Sequence, residues 1–113
     1  ITHDIAIASK LSHTMVVMYG GEVMEVSPTE ALFAHPVHPY TSGLLDAIPF
    51  IDGDVVHKKS IKGSPPDLFN KKEACIFNAR CRHAKDICRE KRPRLEGIKG
   101  NRQVACHFKE RFT

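Results

Sequence analysis

The segment from Cys75 to Cys106 reads CIFNARCRHAKDICREKRPRLEGIKGNRQVAC and contains all four cysteines of the 113-residue chain. The gaps between successive cysteines are five, six and seventeen residues. Four cysteines confined to so short a segment predict that they act together, as two disulfides, as the ligands of a zinc ion or as the ligands of an iron–sulfur cluster. We therefore take this segment as the centre around which the rest of the chain is organised.

The cysteine spacing bears on the choice between these tasks. Structural zinc sites commonly use closely spaced pairs, C-x₂₋₄-C, because both thiolates must reach one small ion. No pair in this sequence is that close. Wider gaps suit a larger inorganic group with ligands at separate corners, and four thiolates are the usual ligand set of a [4Fe–4S] cluster. The spacing favours a cluster and leaves zinc, disulfides and free thiols open as alternatives.

Length and composition limit the class of protein. With 113 residues, 42% hydrophobic residues, 7% aromatic residues and no Trp, the chain suits one domain with a modest core. We expect no membrane span, because no apolar run approaches the roughly 18 residues that one requires. We also expect no signal peptide. The chain begins at Ile1 without a methionine, so we expect it to be part of a longer protein.

Charge is distributed unevenly along the chain. Residues 1–56 carry one basic and seven acidic side chains, whereas residues 57–113 carry sixteen basic and six acidic ones. Cationic surroundings stabilise thiolates and offset the negative charge of a thiolate-ligated metal. A solvated basic face and a footprint for nucleic acid are the other interpretations. We expect no direct nucleic-acid binding, because Cys81 to Cys106 contains no Phe, Tyr or Trp for base stacking.

The first part of the chain is predicted to form a helix and a β-hairpin. Apolar spacing predicts a short helix from Ile5 to about His13. The apolar run Met15–Tyr19 is typical of a strand covered on both faces. Gly20-Gly21 is a hairpin-turn signal, and the acidic residues around the return strand Glu22–Val26 predict that it is exposed.

Two short helices are predicted next. Ser27, with Glu30 three residues later, forms a capping box for a brief helix over Ala31–Ala34. Thr41 or Ser42 is expected to cap a second helix, which Pro49 ends.

The remaining elements are predicted to be short and rich in loops. We expect a strand over Val55–Ile61, one or two helical turns within Ala79–Cys88, loop over Lys91–Arg102 and a closing strand over Val104–Phe108. The predicted fold class is therefore α+β, with a β-hairpin, short helices and a loop-rich four-cysteine subdomain.

Motifs along essentially the whole chain resemble those of the ATP-binding subunits of oligopeptide, dipeptide and nickel ABC importers. They read ITHDxxxA, VVMYxGxVME, LFxxPxHPYTxGLLxAIP and IxGxPPxL, followed by C-x₅-C-x₆-C and a final Cys. The resemblance implies that residues 1–34 end the nucleotide-binding domain. It also implies that residues 35–113 form this subgroup's C-terminal extension, with the cysteine site at 75–106.

The resemblance assigns roles to particular residues. His3 matches the switch histidine, which contacts the γ-phosphate during ATP hydrolysis, and Asp4 shapes its turn. His38-Pro39-Tyr40 marks the start of the extension and is expected to be structural. The resemblance implies a [4Fe–4S] cluster on Cys75, Cys81, Cys88 and Cys106, and zinc stays the alternative that the spacing leaves open.

The catalytic parts of such a subunit are missing from this sequence. There is no G-x-x-x-x-G-K-[ST] phosphate loop, no signature motif and no acidic magnesium segment. ATP chemistry needs a phosphate cradle and a magnesium site, which one histidine does not replace. We therefore expect ATP and Mg²⁺ to bind only in the full-length subunit, and this chain to be inactive by itself.

The resemblance also implies partners and a location. They are a second ATP-binding subunit and the permease subunits, at the cytoplasmic face of the membrane. Because Met15–Tyr19 is too apolar for a free sheet edge, we expect the isolated chain to self-associate.

The sequence also leaves two alternative functions open and suggests roles for its other histidines. The alternatives are a zinc-stapled module that binds nucleic acid or protein, and a disulfide-stapled domain. His83 and His107 lie beside cysteines and are alternative metal ligands. The histidines expected only at the surface or in packing are His13, His35 and His57.

Overall fold

The computed structural model describes residues 5–47, 50–52, 55–57, 61, 63 and 73–112. Its elements, in chain order, are α1 (Ile5–Leu11), β1 (Thr14–Tyr19), β2 (Glu22–Pro28), α2 (Thr29–Ala34), α3 (Pro39–Asp46), β3 (Phe50–Asp52), β4 (Val55–His57), α4 (Asp86–Glu90), β5 (Glu96–Ile98), β6 (Arg102–Val104) and α5 (Lys109–Phe112). No helix in these ranges is both long and apolar enough to cross a membrane.

One antiparallel sheet organises the molecule. Its strand order is β1-β2-β6-β5, and β3 and β4 form a separate antiparallel pair. The short helices and this sheet confirm the predicted α+β fold. The four-stranded sheet contains strands from both sides of the predicted boundary between residues 34 and 35, and that domain division stays a prediction.

The predicted β1–β2 hairpin is confirmed. Gly20 and Gly21 form its turn with φ of 58° and 82°, a left-handed conformation that glycine adopts without the steric cost of a Cβ. Two successive positive φ values give a turn whose twist matches that of the flanking strands. The pairing runs from Thr14 opposite Pro28 to Tyr19 opposite Glu22, with a register shift between Val17 and Met18.

Strand β1 lies at the edge of the sheet, and its burial alternates along the strand. Met15, Val17 and Tyr19 face the core, whereas Val16 is 55% and Met18 54% exposed. The prediction that this run is covered on both faces is therefore wrong within the described residues. Apolar side chains on both faces concealed the period of two that marks a half-buried strand.

Strand β2 is central, which makes the prediction that it is exposed wrong. Glu25 on this strand is completely buried. Its carboxylate accepts hydrogen bonds from the backbone N–H groups of Val37 (3.2 Å) and His38 (2.8 Å), and it forms an ion pair of 2.8 Å with Arg102 on β6. The same Arg102 nitrogen also donates to the His35 carbonyl at 2.7 Å. A buried charge is tolerated when it is paired and hydrogen-bonded in this way.

The predicted cap of α2 is wrong. The helix begins at Thr29, and its N-cap residue is Pro28, whose side chain makes no capping hydrogen bond. The hydroxyl of Ser27 instead donates to the Pro28 carbonyl at 3.0 Å. Thr29 donates to the Ser12 carbonyl at 3.0 Å, so the start of α2 is fixed by α1's end rather than by its own capping box.

The cap of α3 also differs from the prediction of Thr41 or Ser42. His38 is the cap, and its Nδ1 accepts a hydrogen bond of 3.0 Å from the Tyr40 N–H. Pro39 occupies the first helical turn, where its missing N–H costs nothing.

The C-terminal elements are displaced from their predicted positions. Residues 91–102, predicted to be loop, contain β5, and β6 ends where the closing strand was predicted to begin. The connection between β5 and β6 includes Gly100 and Asn101, with φ of 80° and 58°. Helix α4 covers only the end of the predicted helical stretch, and β4 covers the described start of the predicted strand at Val55.

Three aromatic rings connect the sheet to the cysteine region. The centroid of Tyr19 lies 4.7 Å from Tyr40 and 5.1 Å from Phe77, and Tyr40 lies 5.2 Å from Phe77. Tyr19, Phe77, Cys75 and Cys88 belong to one buried cluster. The cysteine region is therefore packed against the sheet.

We expect Arg102→Met to lower the free energy of unfolding by about 3–5 kcal/mol, because the change leaves the Glu25 carboxylate buried without its cation. Denaturant unfolding followed by circular dichroism measures this loss. The matched control is Arg89→Met, since Arg89 pairs with Asp86 at 3.2 Å on the surface. We expect that control to cost at most about 1 kcal/mol. Equal losses in the two variants would contradict a structural role for the buried pair.

Candidate metal centre

All four cysteines line one small pocket beside the sheet, which we name the cysteine pocket. All four are free thiols, with Cys75 and Cys88 buried and Cys81 and Cys106 partly buried. The structure thus brings together the four residues that the spacing predicted to act jointly. The aromatic and imidazole rings around them belong to Phe77, Phe108, Phe112, His38, His83 and His107.

Backbone hydrogen bonds hold the first three cysteines in a compact arrangement of turns. The Cys75 N–H donates to the Cys88 carbonyl at 2.9 Å, which joins the two ends of this segment. Between them, the Cys81 N–H donates to the Phe77 carbonyl at 3.0 Å. The Asn78 side chain donates to the Cys75 carbonyl at 2.6 Å. Cys106 reaches the pocket separately, from the residues that follow β6.

Backbone N–H groups point at three of the four sulfurs. Phe77, His83 and Phe108, each two residues after a cysteine, donate to Cys75, Cys81 and Cys106 respectively. The distance from the Phe108 nitrogen to the Cys106 Sγ is 3.4 Å. Such donors stabilise a thiolate more than a neutral thiol. The arrangement therefore suits sulfurs that carry negative charge.

Burial disfavours negative charge on these sulfurs as long as no metal ion is bound to them. Burial, helped by the neighbouring cysteines, raises the pKa of Cys75 to about 11, although the Phe77 N–H lowers it. Burial also raises the pKa of Cys81 and of Cys106 above the ordinary thiol value. The thiols of Cys75, Cys81 and Cys106 are thus protonated at neutral pH, and a metal that binds them must displace their protons.

The donor set is a test of which inorganic group the pocket suits. A single zinc ion requires its thiolates about 2.3 Å from one point. Among the described residues, no three His, Cys, Asp or Glu side chains are grouped so that they could hold a metal ion. All four sulfurs line one pocket, and four thiolates are also the usual ligand set of a four-iron cluster. The chemistry of four cysteines with directed N–H groups fits such a cluster.

The two histidines predicted as alternative ligands have other contacts. The Nε2 of His107 lies 2.7 Å from the Lys91 carbonyl oxygen. The ring of His83 packs against Phe112 at a centroid distance of 4.9 Å. Both rings also line the cysteine pocket.

His38 is the pocket residue that sequence reasoning did not connect with the cysteines. It was expected only to mark a structural segment, yet its ring lies on the wall of the cysteine pocket and is 2% exposed. The signal was the His38-Pro39 pair, because a side chain that accepts hydrogen bonds just before a proline is a helix start. The importance of Glu25 and Arg102 had no comparable local signal.

The predicted ATP-related residues lie outside the described residues. His3 and Asp4 precede the first described position, Ile5. The switch-histidine role of His3 therefore stays a prediction.

Part of the chain, from strand β2 to the third cysteine, matches a known protein family. A family model described as "Oligopeptide/dipeptide transporter, C-terminal region" matches residues 24–88. The chain belongs to this family. The match begins on β2 and ends at Cys88, so it includes His38 and three of the four cysteines.

Individual proteins are similar to this chain over nearly its whole length. The dipeptide transport ATP-binding protein DppD of Caldanaerobacter subterraneus is 40% identical over 97% of the chain and 34% of its own length. DppD of Escherichia coli is 38% identical over 96% of the chain and 33% of its length. The oligopeptide transport ATP-binding protein AppD of Bacillus subtilis is 42% identical over 97% of the chain and 34% of its own length. The chain spans about a third of the length of these curated relatives.

We expect protonation of His38 to make the protein less stable in acid. Burial lowers the pKa of His38 to about 4 from 6.5, although the Glu25 carboxylate and a hydrogen bond to Ala105 raise it. The unfolded chain therefore binds a proton at higher pH than the folded chain does. Stability is complete above about pH 6.5 and falls by up to about 3 kcal/mol as the pH drops towards 4.

Urea unfolding of the metal-free chain at several pH values measures this effect. His38→Gln should flatten the loss between pH 6.5 and 4, because glutamine does not titrate there. His13→Gln, which changes an exposed histidine, is the matched control and should keep the wild-type slope. An unchanged slope in His38→Gln would show that another group is responsible.

Proposed function

We propose that this chain is the C-terminal part of the ATP-hydrolysing subunit of a peptide ABC importer, and that its cysteine pocket holds a [4Fe–4S] cluster. The observation that carries the cluster proposal is the convergence of four free thiols on one pocket with N–H groups directed at the sulfurs. Family membership and the names of the relatives support the importer, with peptides rather than nickel as its cargo.

The chain's own residues would bind and shield the cluster. The ligands would be Cys75, Cys81, Cys88 and Cys106. Phe77, Phe108 and Phe112 would exclude water, and the charges of Arg82 and Lys109 favour the thiolates of Cys81 and Cys106. A bound [4Fe–4S] cluster supplies a one-electron redox centre and a rigid cross-link.

A structural role agrees best with where the ligands lie. Three of them come from the compact turns of 75–88, and the fourth follows β6 of the sheet. A group bound by all four would tie those turns to the sheet, in addition to the aromatic contacts of Tyr19 and Phe77. Redox regulation of transport is the further possibility, and it requires that the oxidation state change the ATPase rate.

The rest of the proposal concerns the full-length subunit. It would bind ATP and Mg²⁺ through upstream residues and work with a second ATP-binding subunit. Both subunits would dock on the permease at the cytoplasmic face of the membrane. The C-terminal segment would serve a structural or regulatory task and not catalysis.

Metal analysis of protein purified without oxygen tests the cluster. We expect about four irons and four acid-labile sulfides per chain, with broad visible absorption that bleaches on reduction. One zinc without sulfide would replace the cluster with a zinc-stapled binding module. Salt-dependent DNA binding by that zinc form would then favour the nucleic-acid alternative.

Single substitutions should identify the ligands. Each change of Cys75, Cys81, Cys88 or Cys106 to serine should remove most of the iron and the visible absorption, because one thiolate ligand is lost. His83→Gln and His107→Gln are the matched controls, since both rings line the same pocket. We expect these controls to retain iron. Loss of iron in a control with retention in a cysteine variant would change the ligand assignment.

His3→Ala tests the catalytic part of the proposal in the full-length subunit assembled with its partners. We expect ATP hydrolysis to fall by about 100-fold, because a group that stabilises charge on the γ-phosphate is removed. The rate of phosphate release measures this, and the iron content should stay unchanged. A normal rate would remove the switch-histidine assignment.

A further inference from the structure

The His38 side chain is held at both of its ring nitrogens and is 2% exposed. Its Nδ1 accepts a hydrogen bond of 3.0 Å from the Tyr40 N–H, so this nitrogen carries no proton. The proton of the neutral ring is therefore on Nε2. The other hydrogen bond of the ring is with the backbone of Ala105. Since the ring nitrogen that remains is a donor, it donates to the Ala105 carbonyl.

Ala105 is thereby fixed on both sides. Its N–H donates to the Met24 carbonyl on β2 at 2.8 Å. Its carbonyl belongs to the peptide group that joins it to Cys106, and His38 holds that carbonyl. Because a peptide group is planar, fixing its oxygen fixes the orientation of the bond that leads into Cys106.

Further contacts fix the backbone and the ring of His38. Its backbone N–H donates to the Glu25 carboxylate at 2.8 Å, and its ring lies edge-on to Phe77 at a centroid distance of 5.8 Å. The ring also lines the cysteine pocket. These contacts hold the buried imidazole where it reaches both Tyr40 and Ala105.

We propose that His38 is a positioning residue of the cysteine pocket, which orients the Ala105–Cys106 peptide so that the Cys106 thiol faces the other three. In the metal-free chain this contact keeps Cys106 inside the pocket. In the iron-loaded chain it keeps the fourth ligand in place, and this second part rests on the proposed cluster.

Two variants separate the two ring contacts. His38→Asn places an acceptor where Nδ1 is, and so keeps the cap on Tyr40 but does not reach Ala105. His38→Gln places an amide N–H near Nε2, and so keeps the bond to Ala105 but loses the cap. Each variant loses one hydrogen bond, so their overall stabilities should be similar and a difference at Cys106 reports position.

Alkylation of the metal-free chain by iodoacetamide, with each cysteine followed by mass spectrometry, is the first measurement. We expect Cys106 to react about tenfold faster in His38→Asn than in wild type, because losing one hydrogen bond raises local opening by about that factor. In His38→Gln, Cys106 should react as in wild type, and Cys75 should react alike in all three. Equal rates at Cys106 in the two variants would overturn the proposal.

Iron loss to a chelator is the second measurement, made on chains purified without oxygen. We expect His38→Asn to release iron about tenfold faster than His38→Gln, for the same reason. If none of the chains contains iron but the alkylation rates differ as expected, the positioning role stands and the cluster is wrong. If all contain iron and both the alkylation and release rates are equal, the cluster stands and the positioning role is wrong.

Discussion

The buried pair of Glu25 and Arg102 is the constraint on which the rest of the structure depends. A carboxylate in the protein interior is acceptable only if hydrogen-bond donors surround it. Glu25 obtains its donors from Arg102 on β6 and from the backbone between α2 and α3. Arg102 in turn holds the His35 carbonyl in that same connection. One charged pair thus joins two central strands and the segment that leads into His38.

The geometry of the cysteine pocket follows from this arrangement. With β6 beside β2, the residues after Val104 leave the sheet next to the turns of 75–88. With the α2–α3 connection held by Glu25, the ring of His38 lies between the sheet and the pocket. The thiols therefore meet because of contacts made by residues that have no metal chemistry of their own.

Sequence reasoning was right where the signal is local and wrong where it is not. Two adjacent glycines predicted the turn of the first hairpin, and cysteine spacing predicted which residues share one pocket. The burial of Glu25 depends on a partner 77 residues away, so no window around it contains the reason. Strands β5 and β6 have three residues each, too few to show a period, and only Gly100-Asn101 marked their turn. A contact with the residue after α1 decided the start of α2, whereas the adjacent pair His38-Pro39 decided the start of α3 and was overlooked.

The separation of Glu25 and Arg102 also orders events during synthesis of the protein. The ribosome must add 77 residues after Glu25 before its cationic partner exists. Until then β2 has only β1 beside it. The Glu25 carboxylate, which is buried in the folded chain, must stay in water until Arg102 is present. Cys75, Cys81 and Cys88 are made before Arg102, whereas Cys106 follows it. The sheet and the set of four thiols are therefore completed at nearly the same moment during synthesis.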